Sequence, residues 1–190
     1  MKRPVFLSAS VPTEKRFTNR FDPLAIREAI IALVVVTLRD RPLVFGGHPA
    51  ISPLVEHAAR SLGALEHVHI YQSRFYEDRI PEVARKFENL HWTERGADKP
   101  ESLKIMRQEM IRSWEFCGAV FVGGMEGIFE ESNWFREFHN DKPQIPLGST
   151  GGAAEMLLEK MSEAFDEKTY KLLQEERRYR RIFRQLLPEV

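Results

Sequence analysis

The chain has 190 residues, of which 43% are hydrophobic, and this length and composition are typical of one domain with one sizeable core. Lysine plus arginine and aspartate plus glutamate number 28 each, so the formal net charge is zero. A broad surface for nucleic acid polymers or membranes is therefore not expected, because both need a surplus of positive charge. With one cysteine, Cys117, and neither a signal peptide nor a membrane-spanning run, a cytoplasmic location is expected.

Short apolar runs alternate with segments of helical period, the pattern of a parallel sheet with crossover helices. Asp22 before Pro23 predicts a capped helix with a buried second half. Strands are predicted at residues 5–7, 43–45, 68–71, 90–92, 119–122 and 145–147. Helices are predicted to begin at residues 23, 53, 100, 128 and 153. A short helix is predicted to end at residue 87, and one or two charged helices are predicted over the last 25 residues. The predicted fold class is α/β, a Rossmann-like doubly wound, mainly parallel sheet. Residues 1–165 form the ligand-binding domain, and residues 166–190 form its C-terminal helical extension.

Small and glycine residues follow four of the predicted strands. In open parallel sheets, ligands bind beyond the carboxyl ends of the strands, where loops lead into helix N-termini. Glycine lets the backbone approach a ligand closely, and free amides at a helix N-terminus favour an anion such as phosphate. One glycine turn would mean little, but four on one sheet edge favour a ligand site. The candidate ligand-binding residues in these turns are Ser8, Ser10, Gly46, Gly47, His48, Gly123, Gly124, Thr150, Gly151 and Gly152.

Three familiar motifs are missing from the sequence. There is no G-x-x-x-x-G-K-[ST], which disfavours an ATPase of the P-loop kind. No G-x-G-x-x-G follows the first strand, which disfavours dehydrogenase-like NAD(P) binding, and no G-x-S-x-G marks a hydrolase nucleophile.

Charged residues near the third glycine turn are the most informative. Arg107 lies between Leu103 and Ile111 at four-residue spacing, so it projects from an apolar helix stripe. A guanidinium there must pair with an acid, extend to the edge of the core or line a polar pocket, and the sequence leaves these alternatives open. The acidic residues that follow Gly124 suit the start of a helix, and one of them could instead hold a ribose hydroxyl or act on a glycosidic bond. They are Glu126, Glu130 and Glu131.

Other polar clusters have simpler interpretations. His67 and His69 are expected on one strand face without a third ligand, so no metal is expected, and no other cofactor is implied. Cys117 precedes a buried strand and is interpreted as a core residue. The C-terminal arginines, between Arg177 and Arg184, alternate with aromatic and aliphatic residues, which indicates the solvated face of a packed helix.

The residues from Gly123 to Glu131, GGMEGIFEE, resemble the P-G-G-x-G-T-x-x-E motif of the Lonely Guy (LOG) phosphoribohydrolases. Arg107 stands sixteen residues before Gly123, about where that family places its arginine. Residues 45–51 resemble the second glycine turn, and residues 6–10 resemble the first strand and loop. The resemblance covers most of residues 4–165 and extends to the wider SLOG superfamily, including prokaryotic branches linked with anti-phage systems.

The sequence departs from the LOG motif at four places. Val122 replaces the proline, Glu126 is an extra residue before Gly127, Ile128 replaces the threonine, and Gln108 replaces a lysine. An inserted residue shifts the direction of the side chains that follow it, and catalysis tolerates little misplacement. The departures therefore affect the expected activity more than the expected fold.

The resemblance implies a domain that binds a nucleotide or nucleotide-derived small molecule, in bacterial anti-phage or stress signalling. The glycine turns would hold phosphates or sugar, Arg107 would pair with a phosphate, and Glu126 or Glu131 would accept hydrogen bonds from ribose, with Gly127 nearby. The alternative is a phosphoribohydrolase in which Arg107 and Glu131 are catalytic. A second alternative is a partner-binding or dimerisation module, and a homodimer is expected in any case.

Overall fold

The structure is a computed structural model that describes residues 2–18 and 20–188 of the chain. Six strands form one sheet in the order β4-β3-β2-β1-β5-β6, and all five strand pairs are parallel. The strands are β1 (Val5–Ser10), β2 (Leu43–Phe45), β3 (Val68–Ser73), β4 (Asn89–Thr93), β5 (Gly118–Gly123) and β6 (Gln144–Leu147). The six predicted strands and the predicted α/β fold class are confirmed.

Helices connect the strands and cover both faces of the sheet. They are α1 (Lys15–Thr18), α2 (Pro23–Thr37), α3 (Ser52–Ser61), α4 (Lys99–Arg112), α5 (Gly127–Phe138), α6 (Gly152–Lys160), α7 (Glu167–Glu175) and α8 (Tyr179–Leu186). The predicted cap of α2 is confirmed, since the Asp22 carboxylate accepts from the amides of Leu24 and Ala25. In the described part of the chain, no helix has the length and apolar content needed to cross a membrane.

Alternating residues of β1 enter two separate cores. Val5 and Leu7 pack on the face that α2 and α3 cover, and Phe6 packs on the opposite face against Phe116 and Phe135. Both faces are buried because β1 is a central strand between β2 and β5. The chain moves outward from β1 to β4 and then crosses to β5 on the other side, so the strand order reverses at β1. Such a switch point opens a crevice beyond the carboxyl ends of the strands.

The structure corrects the sequence interpretation in three places. β1 continues to Ser10, so Ser8 and Ser10 lie on the strand and not in the loop after it. Two 3₁₀ segments, Arg74–Arg79 and Glu82–Lys86, follow β3, and the second of them replaces the predicted helix ending near Phe87. The expectation that His67 and His69 share a strand face is wrong, because His67 belongs to a 3₁₀ turn and His69 instead contacts His91 at 3.0 Å.

The C-terminal helices pack onto the main domain. Leu173 of α7 and Ile182 and Phe183 of α8 are fully buried in the same core as the strands. Arg177, at the beginning of the arginine cluster, donates to Asp22 at 2.6 Å and so ties this segment to the start of α2. The buried Cys117 accepts a hydrogen bond from Arg41. Met1, in the predicted segment 1–165, and residues 189–190, in the predicted segment 166–190, lie outside the described residues.

Asp22 gives a test of this packing. Asp22→Ala removes the cap of α2 and the pair with Arg177, and we expect it to lower the free energy of unfolding by about 1–2 kcal/mol. Asp22→Asn keeps a capping oxygen and loses only an exposed ion pair, so we expect a loss below about 1 kcal/mol. The cap and Arg177 lower the pKa of Asp22, so its stabilisation is present at neutral pH and is lost as the pH falls through that pKa. Urea unfolding followed by circular dichroism measures the free energy of unfolding of both variants. Equal losses in the two variants would contradict the expectation that the cap contributes more than the ion pair.

Candidate functional site

A cavity of about 410 Å³ opens beyond the carboxyl ends of β1 and β2. β1 and the turn after β2 form one wall, α4 and the start of α5 form another, and the 3₁₀ turn after β3 closes the third side. Eight of the sequence-predicted site residues line it, namely Ser8, Ser10, Gly46, Gly47, His48, Arg107, Gly127 and Glu131. The fold therefore brings the end of β1 and the glycine turn after β2 together with the arginine and the motif glutamate.

An ion pair between Arg107 and Glu131 lies at one side of this cavity. Arg107 Nε donates to Glu131 Oε1 at 3.1 Å, and its Nη1 donates to Glu130 Oε2 at 2.5 Å. The side chain of Arg107 is 18% exposed and that of Glu131 is 12% exposed. Two of the alternatives left open by the sequence therefore hold together: the guanidinium is paired with acids and also lines the cavity.

Burial controls the protonation of Glu131. Withdrawal from water raises the pKa of this carboxyl above its ordinary value, while the Arg107 charge and a hydrogen bond from the Ser8 hydroxyl act in the opposite direction. The rise from burial is the larger effect. Despite the extra residue at Glu126, the motif glutamate thus faces both the arginine and the cavity, and it is suited to hold or exchange a proton there.

Gly127, the first residue of α5, leaves space for the Arg107 guanidinium. A Cβ atom on Gly127 would lie 2.3 Å from Arg107 Nη2, which is much shorter than any real contact. The missing side chain therefore leaves the space that the guanidinium occupies. Gly127 belongs to the site because it admits Arg107.

Gln72, on β3, is a site residue that the sequence interpretation missed. Its Nε2 donates to the carbonyls of Gly47 at 2.9 Å and Gly46 at 3.3 Å. A Cβ atom on Gly47 would lie 2.1 Å from that nitrogen, so the glycine turn makes room for the amide. Because two carbonyls hold the nitrogen, the amide oxygen is the group left to accept from a ligand. No local signal marks a glutamine within a strand as a ligand residue.

His48 presents a hydrogen-bond donor at the same turn. Its Nδ1 accepts from the Ala50 amide at 3.2 Å, so the proton of the neutral ring lies on Nε2. Burial lowers the pKa of His48, which favours this neutral form at physiological pH. A neutral imidazole N–H is therefore available to a ligand oxygen.

The remaining predicted site residues lie away from the cavity. The amides of the last two glycine turns are used inside the protein: Gly124 donates to the Ser10 carbonyl, Gly151 to Gly148, and Gly152 to Arg20. The Gly123 amide donates to Thr150 Oγ1, which is fully buried and donates in turn to the Leu147 carbonyl. Glu126 pairs with Arg16 at 3.0 Å. The bond between Gly123 and Thr150 joins the loops after β5 and β6. A ligand role for these residues stays a prediction.

Two cations in the cavity wall were also missed. Arg79 ends the 3₁₀ turn after β3, and Lys99 begins α4. Neither follows a glycine turn or belongs to a motif, so only the folded chain shows that they share the cavity with Arg107. Among the residues that the structure describes, no group of three or more histidine, cysteine, aspartate or glutamate side chains could hold a metal ion.

Comparison with protein families places this geometry in context. The model of the SLOG cluster3 family matches residues 16–187. The chain belongs to the SLOG cluster3 family. Eleven chains of solved structures match this SLOG domain, and no curated protein does. One of the solved structures, the X-ray structure of the structural-genomics target TM1055, covers 89% of both chains at 15% identity, with a TM-score of 0.56. That likeness shows the shared fold, and the family match confirms the predicted SLOG membership.

Thr150 gives a test of the structural part of this SLOG domain. Thr150→Val keeps the shape but leaves the Gly123 amide and the Leu147 carbonyl without their partner, so we expect a loss of about 1–3 kcal/mol in the free energy of unfolding. Thr150→Ser keeps the hydroxyl and loses one methyl group, at a cost of about 1 kcal/mol. Chemical unfolding of the two variants measures these losses in the free energy of unfolding. A Thr150→Val protein as stable as the parent would show that the hydroxyl serves something other than the fold.

Proposed function

We propose that this SLOG domain binds a nucleotide or a nucleotide-derived small molecule in the cavity. The observation that carries the proposal is the convergence of the first two strand ends, the Arg107–Glu131 pair and a partly apolar wall on one space of about 410 Å³. That volume lies in the range of small-molecule sites, and the position lies at the switch point of the sheet. A role in bacterial anti-phage or stress signalling belongs to the same proposal.

The cavity offers separate surfaces for the parts of a nucleotide. Tyr76, Ile80 and Met106 supply an apolar and aromatic wall that suits a base. The Gln72 amide oxygen and the His48 N–H supply one acceptor and one donor. Glu131 accepts hydrogen bonds from ribose hydroxyls in this arrangement, since a carboxylate accepts at several positions.

A ligand screen tests this proposal. We expect at least one of AMP, ADP, ADP-ribose and a cyclic dinucleotide to raise the thermal midpoint, because a ligand at a hundred times its Kd stabilises the folded state by about 2.7 kcal/mol. Glu131→Gln is expected to reduce that shift, whereas Glu130→Gln, at a half-exposed neighbour of the same pair, should reduce it much less. No shift with any of the four at millimolar concentration would overturn nucleotide binding.

A second candidate function is hydrolysis of the bond between base and ribose in a nucleoside monophosphate. The observation that favours it is the raised pKa of a cavity-facing carboxyl held by an arginine. Glu131 would stabilise positive charge at the sugar or activate the attacking water, water oxygen would bond to C1′ as the base leaves, and Arg107 would hold Glu131 in place.

Chromatography of the incubated nucleotides separates the two functions. For the hydrolase, we expect free base to appear with the parent protein and to fall at least a hundredfold with Glu131→Gln. Glu130→Gln is expected to retain most of the activity. Ligand-induced stabilisation without any free base would leave the binding function and exclude hydrolysis.

A further inference from the structure

The charge of Arg107 is already compensated in the folded chain. Glu131 and Glu130 both contact its guanidinium, at 3.1 Å and 2.5 Å. Two carboxylates against one guanidinium leave this side of the cavity without positive charge to offer when both are ionised. A phosphate placed here would meet the two carboxylates at close range, which is repulsive. Arg107 is therefore poorly suited to be the main phosphate ligand.

Arg79 and Lys99 have the opposite character. Both line the cavity and both are exposed, so they lie at its rim. Within residues 2–18 and 20–188, neither forms a hydrogen bond or an ion pair with another side chain. Arg74, in the same 3₁₀ turn as Arg79, is by contrast paired with Glu77 at 3.1 Å. The two rim cations are thus the uncompensated positive charges of the cavity.

The acidic residues beside Lys99 do not cancel its charge by direct contact. The Asp98 carboxylate accepts from the Glu101 amide at 2.9 Å, and the Glu101 carboxylate accepts from the Ala97 amide at 2.5 Å. Lys99 also begins the 14-residue helix α4, whose dipole adds positive potential at this end. Arg79 and Lys99, the latter at this helix end, line the same cavity.

We propose that Arg79 and Lys99 bind the phosphate or pyrophosphate group of the ligand, while the Arg107–Glu131 pair faces its uncharged sugar. This inference rests on the proposed function and deepens it. It assigns the ligand class as a nucleotide whose phosphate extends toward the rim, and it excludes an uncharged nucleoside as the preferred ligand. Lysine and arginine at one anion would combine a point charge with a planar guanidinium, a common arrangement for phosphate.

Titration calorimetry with the full chain tests the assignment, with AMP, ADP, adenosine and inorganic pyrophosphate as probes. We expect Arg79→Gln and Lys99→Gln each to weaken AMP and ADP binding about tenfold, and the double variant about a hundredfold. Adenosine is expected to bind more weakly than AMP and to be unaffected by either change. The matched controls are Arg74→Gln in the same turn and Lys104→Gln on the same helix, which lie outside the cavity and should leave Kd unchanged.

The outcomes separate this inference from the proposed function. Nucleotide binding that survives in the double variant would overturn the rim assignment and leave nucleotide binding in place. A third outcome is that the parent protein binds pyrophosphate but not AMP, ADP or adenosine, and that the double variant loses the pyrophosphate binding. This outcome would support the rim site and count against nucleotides as ligands. If none of the four probes binds the parent protein, the rim assignment fails, and the thermal screen with ADP-ribose and the cyclic dinucleotide then decides the proposed function separately. Thermal unfolding of each variant shows that a lost affinity does not come from lost folding.

Discussion

The contact between Arg107 and Glu131 is the interaction on which the cavity depends. Each charged group is largely withdrawn from water and would destabilise the fold without a partner of opposite charge. The pair therefore fixes how α4 approaches α5. Two neighbours fit this pair, because Gly127 leaves space for the guanidinium and the Ser8 hydroxyl donates to the Glu131 carboxylate.

The topology of the sheet divides the glycine turns into two kinds. The turn after β2 stands beside the switch point, and its carbonyls orient Gln72 at the cavity wall. The turns after β5 and β6 follow adjacent strands, and the Gly123 amide joins the two loops by donating to Thr150. The same residue type thus lines the cavity at one strand end and packs loops together at another.

Local signals explain which features the sequence could predict. Asp22–Pro23 marks a helix start, and apolar runs such as residues 119–122 mark buried strands, since cap geometry and alternation depend on near neighbours. The helical spacing around Arg107 predicted a side chain on the buried stripe, and the motif resemblance joined it to Glu131. The turns could not be sorted by sequence, because a glycine that admits a ligand and one that admits another loop carry the same signal.

Gln72, Arg79 and Lys99 show the limit of such signals. They lie on three different segments, and only the packing of β3, its 3₁₀ turn and α4 around the switch point brings them together. Within the described residues, the Gln72 amide oxygen has no hydrogen-bond donor, and neither Arg79 nor Lys99 has a carboxylate in contact with it. Their importance comes from these missing partners. The zero net charge of the whole chain conceals this arrangement. The cavity has two electrostatic surfaces. The charge of Arg107 is compensated by its carboxylate partners, whereas Arg79 and Lys99 at the rim have no such partners among the described residues. This arrangement favours a ligand with hydroxyls at one end and an anion at the other.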